Sequence, residues 1–230
     1  MPDPVLLITG ASTGIGAATA RLAAEQGHRV VLAARSTDKL ETLASELGGA
    51  ERALAVACDV SDYGQQEAMV HRALDAFGRI DAAFANAGFG GPRGFEDNDP
   101  DDMRAMVLTN VLGAAYTIRA TMPHLRETQG HLLLTSSVAG RRALQGSLYS
   151  ATKFAVTAMG EAARLDLNGT GCRVTLIEPG MVDTPFFEKG PNLDEPLYAE
   201  DVARAVLFAL TQPRHVDVNE ILLRPTAQDG

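Results

Sequence analysis

Residues 5–16 read VLLITGASTGIG. The run Val5–Ile8 carries no polar member, which suits a strand covered on both faces. Glycines follow at 10, 14 and 16, and a stretch of helical composition comes after them. Gly10 permits a tight turn, Gly14 lets backbone amides approach a phosphate, and Gly16 lets the helix pack against the sheet. A helix starting there directs free N–H groups and a positive dipole end at the phosphate. The strand before and the helix after separate a phosphate cradle from a plain glycine turn.

The same alternation continues outward from this stretch. Apolar runs at Val5–Ile8, Val30–Ala33, Ala53–Ala57, Ile80–Ala85, His131–Thr135, Val174–Ile177 and Glu220–Leu223 are separated by amphipathic segments of helical length. In NDPDDMRAMVLTNVLGAAYTIRATM, Asp99 reads as an N-cap with Pro100 at the first helical position. Strand-helix repetition with right-handed crossovers predicts an α/β fold: one Rossmann-type domain over 1–230, a doubly wound parallel sheet of seven strands with helices on both faces. The least regular segment, 182–201, holds three prolines and the pair Phe186–Phe187 and reads as a substrate lid.

Composition bounds the function. Hydrophobic residues make up 46% and charged residues 21%, the balance of a packed protein. The net charge of -9 argues against nucleic acid, whose backbone would meet a repulsive field. Cys58 and Cys172 sit in apolar runs and read as buried core thiols in a reducing compartment. The N-terminus lacks a signal-peptide pattern, and no run approaches the ~20 apolar residues of a membrane span, so a cytoplasmic location is expected. The histidines show no metal-ligand spacing; no metal is expected, and surface or half-buried positions are expected for them.

Two further places carry chemistry. The second strand ends RVVLAARS, with Ala34 where a ribose-binding carboxylate would stand and Arg35 after it, which points to a 2′-phosphate and hence to NADP(H); Lys39 reads as facing water. In LYSATKF (148–154), Tyr149 and Lys153 share a helical face. A phenol ionises near pH ~10, and a cation beside it is expected to lower that value. Tyr-x-x-x-Lys is common in helices, but Ser136 and Ser137 at the carboxyl end of the strand 131–135 place hydroxyls where ligands bind in this architecture.

Taken in order, TGASTGIG (9–16), CDV (58–60), NAG (86–88), Asn110 in TNVLG, SSVAG (136–140), YSATK (149–153) and PGMVDT (179–184) resemble the short-chain dehydrogenase/reductase family over essentially the whole chain. The resemblance implies a carbonyl/alcohol oxidoreductase with Tyr149 as general acid/base, Lys153 holding the nicotinamide ribose and depressing the tyrosine pKa, and Ser137 positioning the reacting oxygen. Asn110 would sit in a helix distortion and bind a proton-relaying water. The cofactor would lie along Gly10, Ser12, Thr13, Gly14, Ile15, Gly16 and Arg35, with Asp59 and Val60 at the adenine. Asn86, Ala87 and Gly88 would support it, and Ile15, Pro179, Gly180, Val182 and Thr184 would line the nicotinamide half. Ser137 is chosen over Ser136 because Val-Ala-Gly follows it, although it precedes Tyr149 by one position fewer than is usual in the family.

Val138, Gln145, Met181, Phe186 and Phe187 are candidate substrate contacts, while Arg141 and Arg142 read more readily as solvated loop arginines than as a carboxylate anchor. The ending VNEILLRPTAQDG lacks the glycine-rich strand of acyl-carrier-protein ketoreductases and resembles the branch that oxidises serine and other 3-hydroxy acids. A noncatalytic dinucleotide sensor is the rival on this fold. The family resemblance also implies a homodimer or homotetramer built through the helices beginning near Asp99 and Ser147.

Overall fold

A computed structural model of the chain describes residues 3–187 and 190–228. The strands of its main sheet are β1 (Val5–Thr9), β2 (Arg29–Ala34), β3 (Ala53–Ala57), β4 (Ala82–Ala85), β5 (His131–Thr135), β6 (Arg173–Pro179) and β9 (Glu220–Leu223). They pair in the order β3-β2-β1-β4-β5-β6-β9, every pair parallel. The helices are α1 (Gly14–Glu25), α2 (Thr37–Glu46), α3 (Tyr63–Phe77), α4 (Pro100–Val107), α5 (Ala114–Thr128), α6 (Leu148–Asp166) and α7 (Ala199–Leu210). This is the expected Rossmann-type doubly wound sheet.

Alternate strand residues feed two cores. Leu7, Val31, Val56, Leu132 and Leu134 pack against α3, α5 and α6. Leu6, Ile8, Leu32, Leu133 and Ile177 pack against α1, α2 and α7. A fully buried Leu, Ile or Val contributes about 1.5–3 kcal/mol over an exposed one, so the apolar runs that lack polar alternation are what hold both helical layers. The two edge strands are the less buried ones, β9 with Glu220 and Leu222 exposed and β3 with Ala57 exposed. The chain winds from β1 outward through β2 and β3, then returns to place β4 on the other side of β1, which opens a crevice at the carboxyl ends of β1 and β4.

Local signals explain the helices around that crevice. Asp99 caps α4 by accepting from the Asp101 N–H at 2.8 Å, with Pro100 inside the first turn. α4 and α5 are joined without a break by a π-helical stretch, Leu108–Gly113, the distortion expected at Asn110. Ser147 caps α6 by accepting from the Ser150 N–H at 3.1 Å.

Several expectations need correction. The fourth strand begins at Ala82 and not Ile80: Ile80 is fully buried, but it precedes the ladder, where Asp81 accepts from the Val5 N–H at 2.9 Å. Its apolarity reports burial alone. His131 is not at or near the surface but buried at the start of β5, with Nε2 2.7 Å from Thr175 Oγ1 and its pKa lowered to about 3 by burial, helped by Arg173. Both cysteines are free; Cys58 is buried as expected, but Cys172 is only half-buried. The segment 182–201 contains a small two-stranded sheet, β7 (Val182–Asp183) and β8 (Leu197–Tyr198), which no sequence pattern announced; residues 188 and 189 of it lie outside the described residues. Among the described residues, no helix is long and apolar enough to cross a membrane.

Candidate active site

The glycine turn after β1 works through its backbone. Gly10 has φ +67°, and a Cβ there would lie 2.8 Å from the Ala87 Cα. A Cβ on Gly16 would run into the Gly10 carbonyl, so Gly16 lets α1 close onto the turn. Thr9 and Asn86 then lock the strand ends together. Thr9 Oγ1 accepts from the Asn86 and Ala87 N–H groups at 3.1 and 3.2 Å, and Asn86 Nδ2 donates to the Thr9 carbonyl at 3.1 Å. Thr135 Oγ1 donates to Asn86 Oδ1 at 3.0 Å, which extends the lock from β1 through β4 to β5. A cradle held on three strands presents its amides without reorganisation.

Above it lies a crevice of about 1360 Å³. At one end it is lined by Gly10, Ser12, Thr13, Gly14, Ile15, Arg35, Asp59 and Val60; Asn86, Ala87 and Gly88 form its middle, and Ser137, Tyr149, Lys153, Pro179, Gly180, Val182 and Thr184 line the rest. Two of the predicted site residues do not line it. Gly16 lies under the turn. Asn110 is buried behind Gly88, its amide donating to the Phe89 carbonyl at 2.8 Å and to Thr152 Oγ1 at 3.1 Å, and its own carbonyl accepting from the Phe89 N–H at 3.0 Å. The Asn110 side chain is thus committed to shaping the loop beneath the crevice.

These residues fit a phosphorylated dinucleotide. The turn has no room for side chains where backbone must approach phosphate, β2 ends in Ala34 with Arg35 exposed beside it, and Asp59 is the only acid among the described lining residues. Asp59 is occupied by Ser61, accepting from its N–H at 2.9 Å and its hydroxyl at 2.7 Å, and these bonds hold its carboxyl below the usual range. The charge of Arg35 also favours the Asp59 carboxylate, but among the described residues Arg35 forms no salt bridge with it. No cluster of His, Cys, Asp and Glu among the described residues suits a metal ion.

At the other end, α6 delivers Tyr149 and Lys153. Lys153 is buried, donates from Nζ to the Thr135 carbonyl at 2.7 Å, and lies 5.5 Å from the centroid of the Tyr149 ring. Burial lowers its pKa to about 8. The Tyr149 phenol is pushed up to about 12 by burial, with a hydrogen bond to Ser137 pulling the other way. The phenol that a lysine was expected to depress is thus raised by burial, while the Lys153 amino group lies against the ring and the Thr135 carbonyl.

The two serine hydroxyls turn to different partners. Ser136 turns its hydroxyl to α6, within 3.1 Å of the Lys153 carbonyl and 2.7 Å of Thr157 Oγ1. Ser137 donates to the Pro179 carbonyl at 3.2 Å, accepts from the Ala139 N–H at 3.1 Å and reaches the Tyr149 hydroxyl. The shortened 141–147 loop still closes: Leu144 N–H donates to Ser150 Oγ and Gly94 N–H to the Gly146 carbonyl.

Over the phenol lies Phe186, edge-on at 5.4 Å between ring centroids, with Phe187 at 5.0 Å behind it. Gly90 lies directly beneath Phe186, and Thr184 rests on Gly14. Val138 and Met181 also line the crevice, but Gln145 does not. Arg141 is exposed but tied down: its Nε–H is shared between both oxygens of the buried Glu178 carboxylate at 2.8 and 2.9 Å, and its guanidinium pairs with Glu220. Arg142 does line the crevice. Sequence reasoning missed Phe89–Arg93, Arg224 and Gln228, the last accepting from the Met181 N–H at 2.8 Å. The glycine pair after NAG in FGGPR was a usable signal for the first; nothing local marks the other two.

The family described as short chain dehydrogenase matches residues 4–192. An uncharacterized oxidoreductase of Staphylococcus aureus is 38% identical over 228 residues, 98% of each chain. Among solved structures, an alcohol dehydrogenase from Thermococcus sibiricus complexed with 5-hydroxy-NADP is 33% identical with a TM-score of 0.92, over 99% of this chain and 98% of that one. A serine dehydrogenase complexed with NADP+ is 32% identical with a TM-score of 0.92, over 98% and 96%. A 3-ketoacyl-(acyl-carrier-protein) reductase from Brucella melitensis, complexed with NADH, is 29% identical with a TM-score of 0.86, over 96% and 97%.

Proposed function

This chain belongs to the short-chain dehydrogenase family of oxidoreductases, and from that premise we propose that it interconverts a carbonyl compound and the corresponding alcohol with NADP(H). The observation that carries the reading is the convergence of Tyr149, Ser137 and Lys153 on one crevice with a glycine cradle and the exposed Arg35 also lining it. The NADP-type ligands of two similar structures support the cofactor.

The bound nicotinamide supplies or accepts the hydride. The chain's own residues handle the proton. With a pKa of about 12, Tyr149 holds its proton at neutral pH and is a proton donor. Ser137 reaches the Tyr149 hydroxyl and is placed to hold the substrate oxygen beside it. In reduction the phenol O–H bond breaks, its proton goes to the carbonyl oxygen, and the phenolate left behind is stabilised by Lys153 and reprotonated from solvent. Oxidation reverses these steps and needs the phenolate first. Lys153, with its pKa of about 8, keeps mostly positive at pH 7, and its charge favours the phenolate as it develops. Asn110 acts one layer back, fixing the Gly88–Phe89 loop by its paired bonds to Phe89.

The exposed Val107, Phe154 and Leu165 on α4 and α6 support assembly of two or more copies through these helices, which sedimentation at two concentrations tests.

The test of activity follows nicotinamide absorbance with NADPH and NADH in parallel against ketones, aldehydes and hydroxy acids. NADPH-dependent turnover is expected. Cofactor binding without turnover of any compound would favour a dinucleotide sensor, and a clear NADH preference would overturn the role given to Arg35.

A further inference from the structure

In LYSATKFAVT, Tyr149, Lys153 and Thr157 stand at intervals of four and run along one side of α6. The first two line the crevice; Thr157 lies a turn deeper and does not. A helical threonine commonly bonds back to the carbonyl four residues earlier. Here that carbonyl belongs to Lys153, and the hydroxyl that donates to it, at 3.1 Å, is that of Ser136. Thr157 Oγ1 instead meets Ser136 Oγ at 2.7 Å. Gly140 is packed onto the same three atoms: a Cβ there would lie 2.5 Å from Ser136 Oγ and 2.8 Å from both the Lys153 carbonyl oxygen and Thr157 Oγ1. The turn that Ser137 begins and Gly140 ends therefore rests directly on α6, with no side chain between.

The other side of the turn is held by β6. Ser137 donates to the Pro179 carbonyl at 3.2 Å. The residue before Pro179 is the fully buried Glu178, whose carboxylate takes the Arg141 Nε–H, and the Thr157 hydroxyl reaches that carboxylate as well. Thr157 thus stands where the end of β5, the middle of α6 and the end of β6 come together. A single neutral hydrogen bond of this kind nets only about 0.5–1.5 kcal/mol. Its position gives it leverage, because Ser136 is the neighbour of Ser137, and Thr157 shares a rigid helix with Tyr149.

We propose that Thr157 and Ser136 are positioning residues: their hydroxyl pair seats the serine turn on α6 and so sets the reach between the Ser137 hydroxyl and the Tyr149 phenol. The inference rests on the oxidoreductase reading and deepens it. Proton transfer is sensitive to displacements of a fraction of an ångström, so a lock behind the site acts on turnover, while the cofactor cradle on β1 and β4 does not depend on it.

The experiment measures NADPH-dependent reduction of cyclohexanone, benzaldehyde and acetoacetate, with kcat for whichever is used fastest referred to NADPH-binding sites titrated by fluorescence. Thr157→Val keeps the side-chain shape and loses the oxygen; it should lower kcat about five- to fifty-fold and move NADPH affinity less than about two-fold. Thr157→Ser, which returns the oxygen, should restore kcat to within about two-fold of the natural chain. Ser136→Ala should lower kcat as well, and adding Thr157→Val to it should cost less than about two-fold more, because both changes open one lock. An unchanged kcat in Thr157→Val, a loss that serine does not restore, or losses that multiply in the double variant overturns the proposal. So does a loss of NADPH sites with normal kcat per remaining site, which marks a role in folding alone. If the natural chain reduces none of the three compounds, the oxidoreductase reading fails this test, and crystal structures of the natural chain and Thr157→Val decide the lock separately. A Ser137 Oγ to Tyr149 oxygen distance longer by more than about 0.5 Å in the variant upholds it; a smaller change overturns it.

Discussion

The two ends of the crevice are built by different means. The β1–β2 end uses main chain: Gly10 and Gly16 keep side chains out of a turn locked to β4 through Thr9 and Asn86. The β5–β6–β9 end uses side chains carried by segments far apart in the chain, from Arg93 and Ser137 to Phe186 and Arg224. A main-chain site is shaped by a few consecutive residues and tolerates little change. A side-chain site can be altered one residue at a time while the strand ends below it stay in place, which is how one scaffold serves many substrates.

The largest expected effect lies at the side-chain end. Tyr149→Phe removes the proton donor but keeps the ring under Phe186, so kcat should fall about 10²- to 10⁴-fold while NADP(H) affinity, read by fluorescence titration, changes little. A variant that keeps near-normal turnover would break the division of labour. The main-chain end is probed next through its arginine: Arg35→Ala should reduce the preference for NADPH over NADH in kcat/KM by about ten- to a hundred-fold and leave NADH-dependent kcat in place. An unchanged preference would mean that recognition there is by backbone alone.

Smaller effects concern what lies beneath. Arg141→Ala strips the buried Glu178 of the Nε–H its two oxygens share, and because Arg141 itself is partly exposed the loss should be a screened one of about 1–3 kcal/mol in urea unfolding. Loss of turnover without loss of stability would return Arg141 to the substrate site. The smallest effect at neutral pH should come from His131. Its pKa is lowered from 6.5 to about 3, so between these values the unfolded chain binds a proton that the folded chain refuses. Stability therefore falls as pH drops below 6.5 and continues to fall toward 3. His131→Asn should flatten that part of the melting-temperature profile relative to the natural chain; an equally steep profile would show that other groups set the acid limb.

Legibility followed the same division. The glycine turn could be read because its glycines are consecutive in the chain between a strand and a helix, and most strand cores coincide with apolar runs, the departures being Thr175 inside β6 and the start of β4 at Ile80. Tyr149 and Lys153 could be paired because a helix repeats every ~3.6 residues. Arg141 and Arg142 are adjacent and chemically alike, yet one is bound to β6 and β9 and the other opens to the crevice. No local pattern distinguishes them.

The amino-acid sequence by itself determined the parallel sheet, the phosphate-binding turn, the helical pairing of phenol with ammonium and the absence of a carboxylate at Ala34, since each depends on neighbours within a turn or two of chain. The tertiary structure alone decided that burial raises the Tyr149 pKa, that Ser136 faces a helix while Ser137 bonds the Pro179 carbonyl, and that Arg141 is tied to Glu178 while Arg142 lines the crevice. Desolvation and charge compensation are set by whatever packs nearby, and those neighbours come from distant parts of the chain.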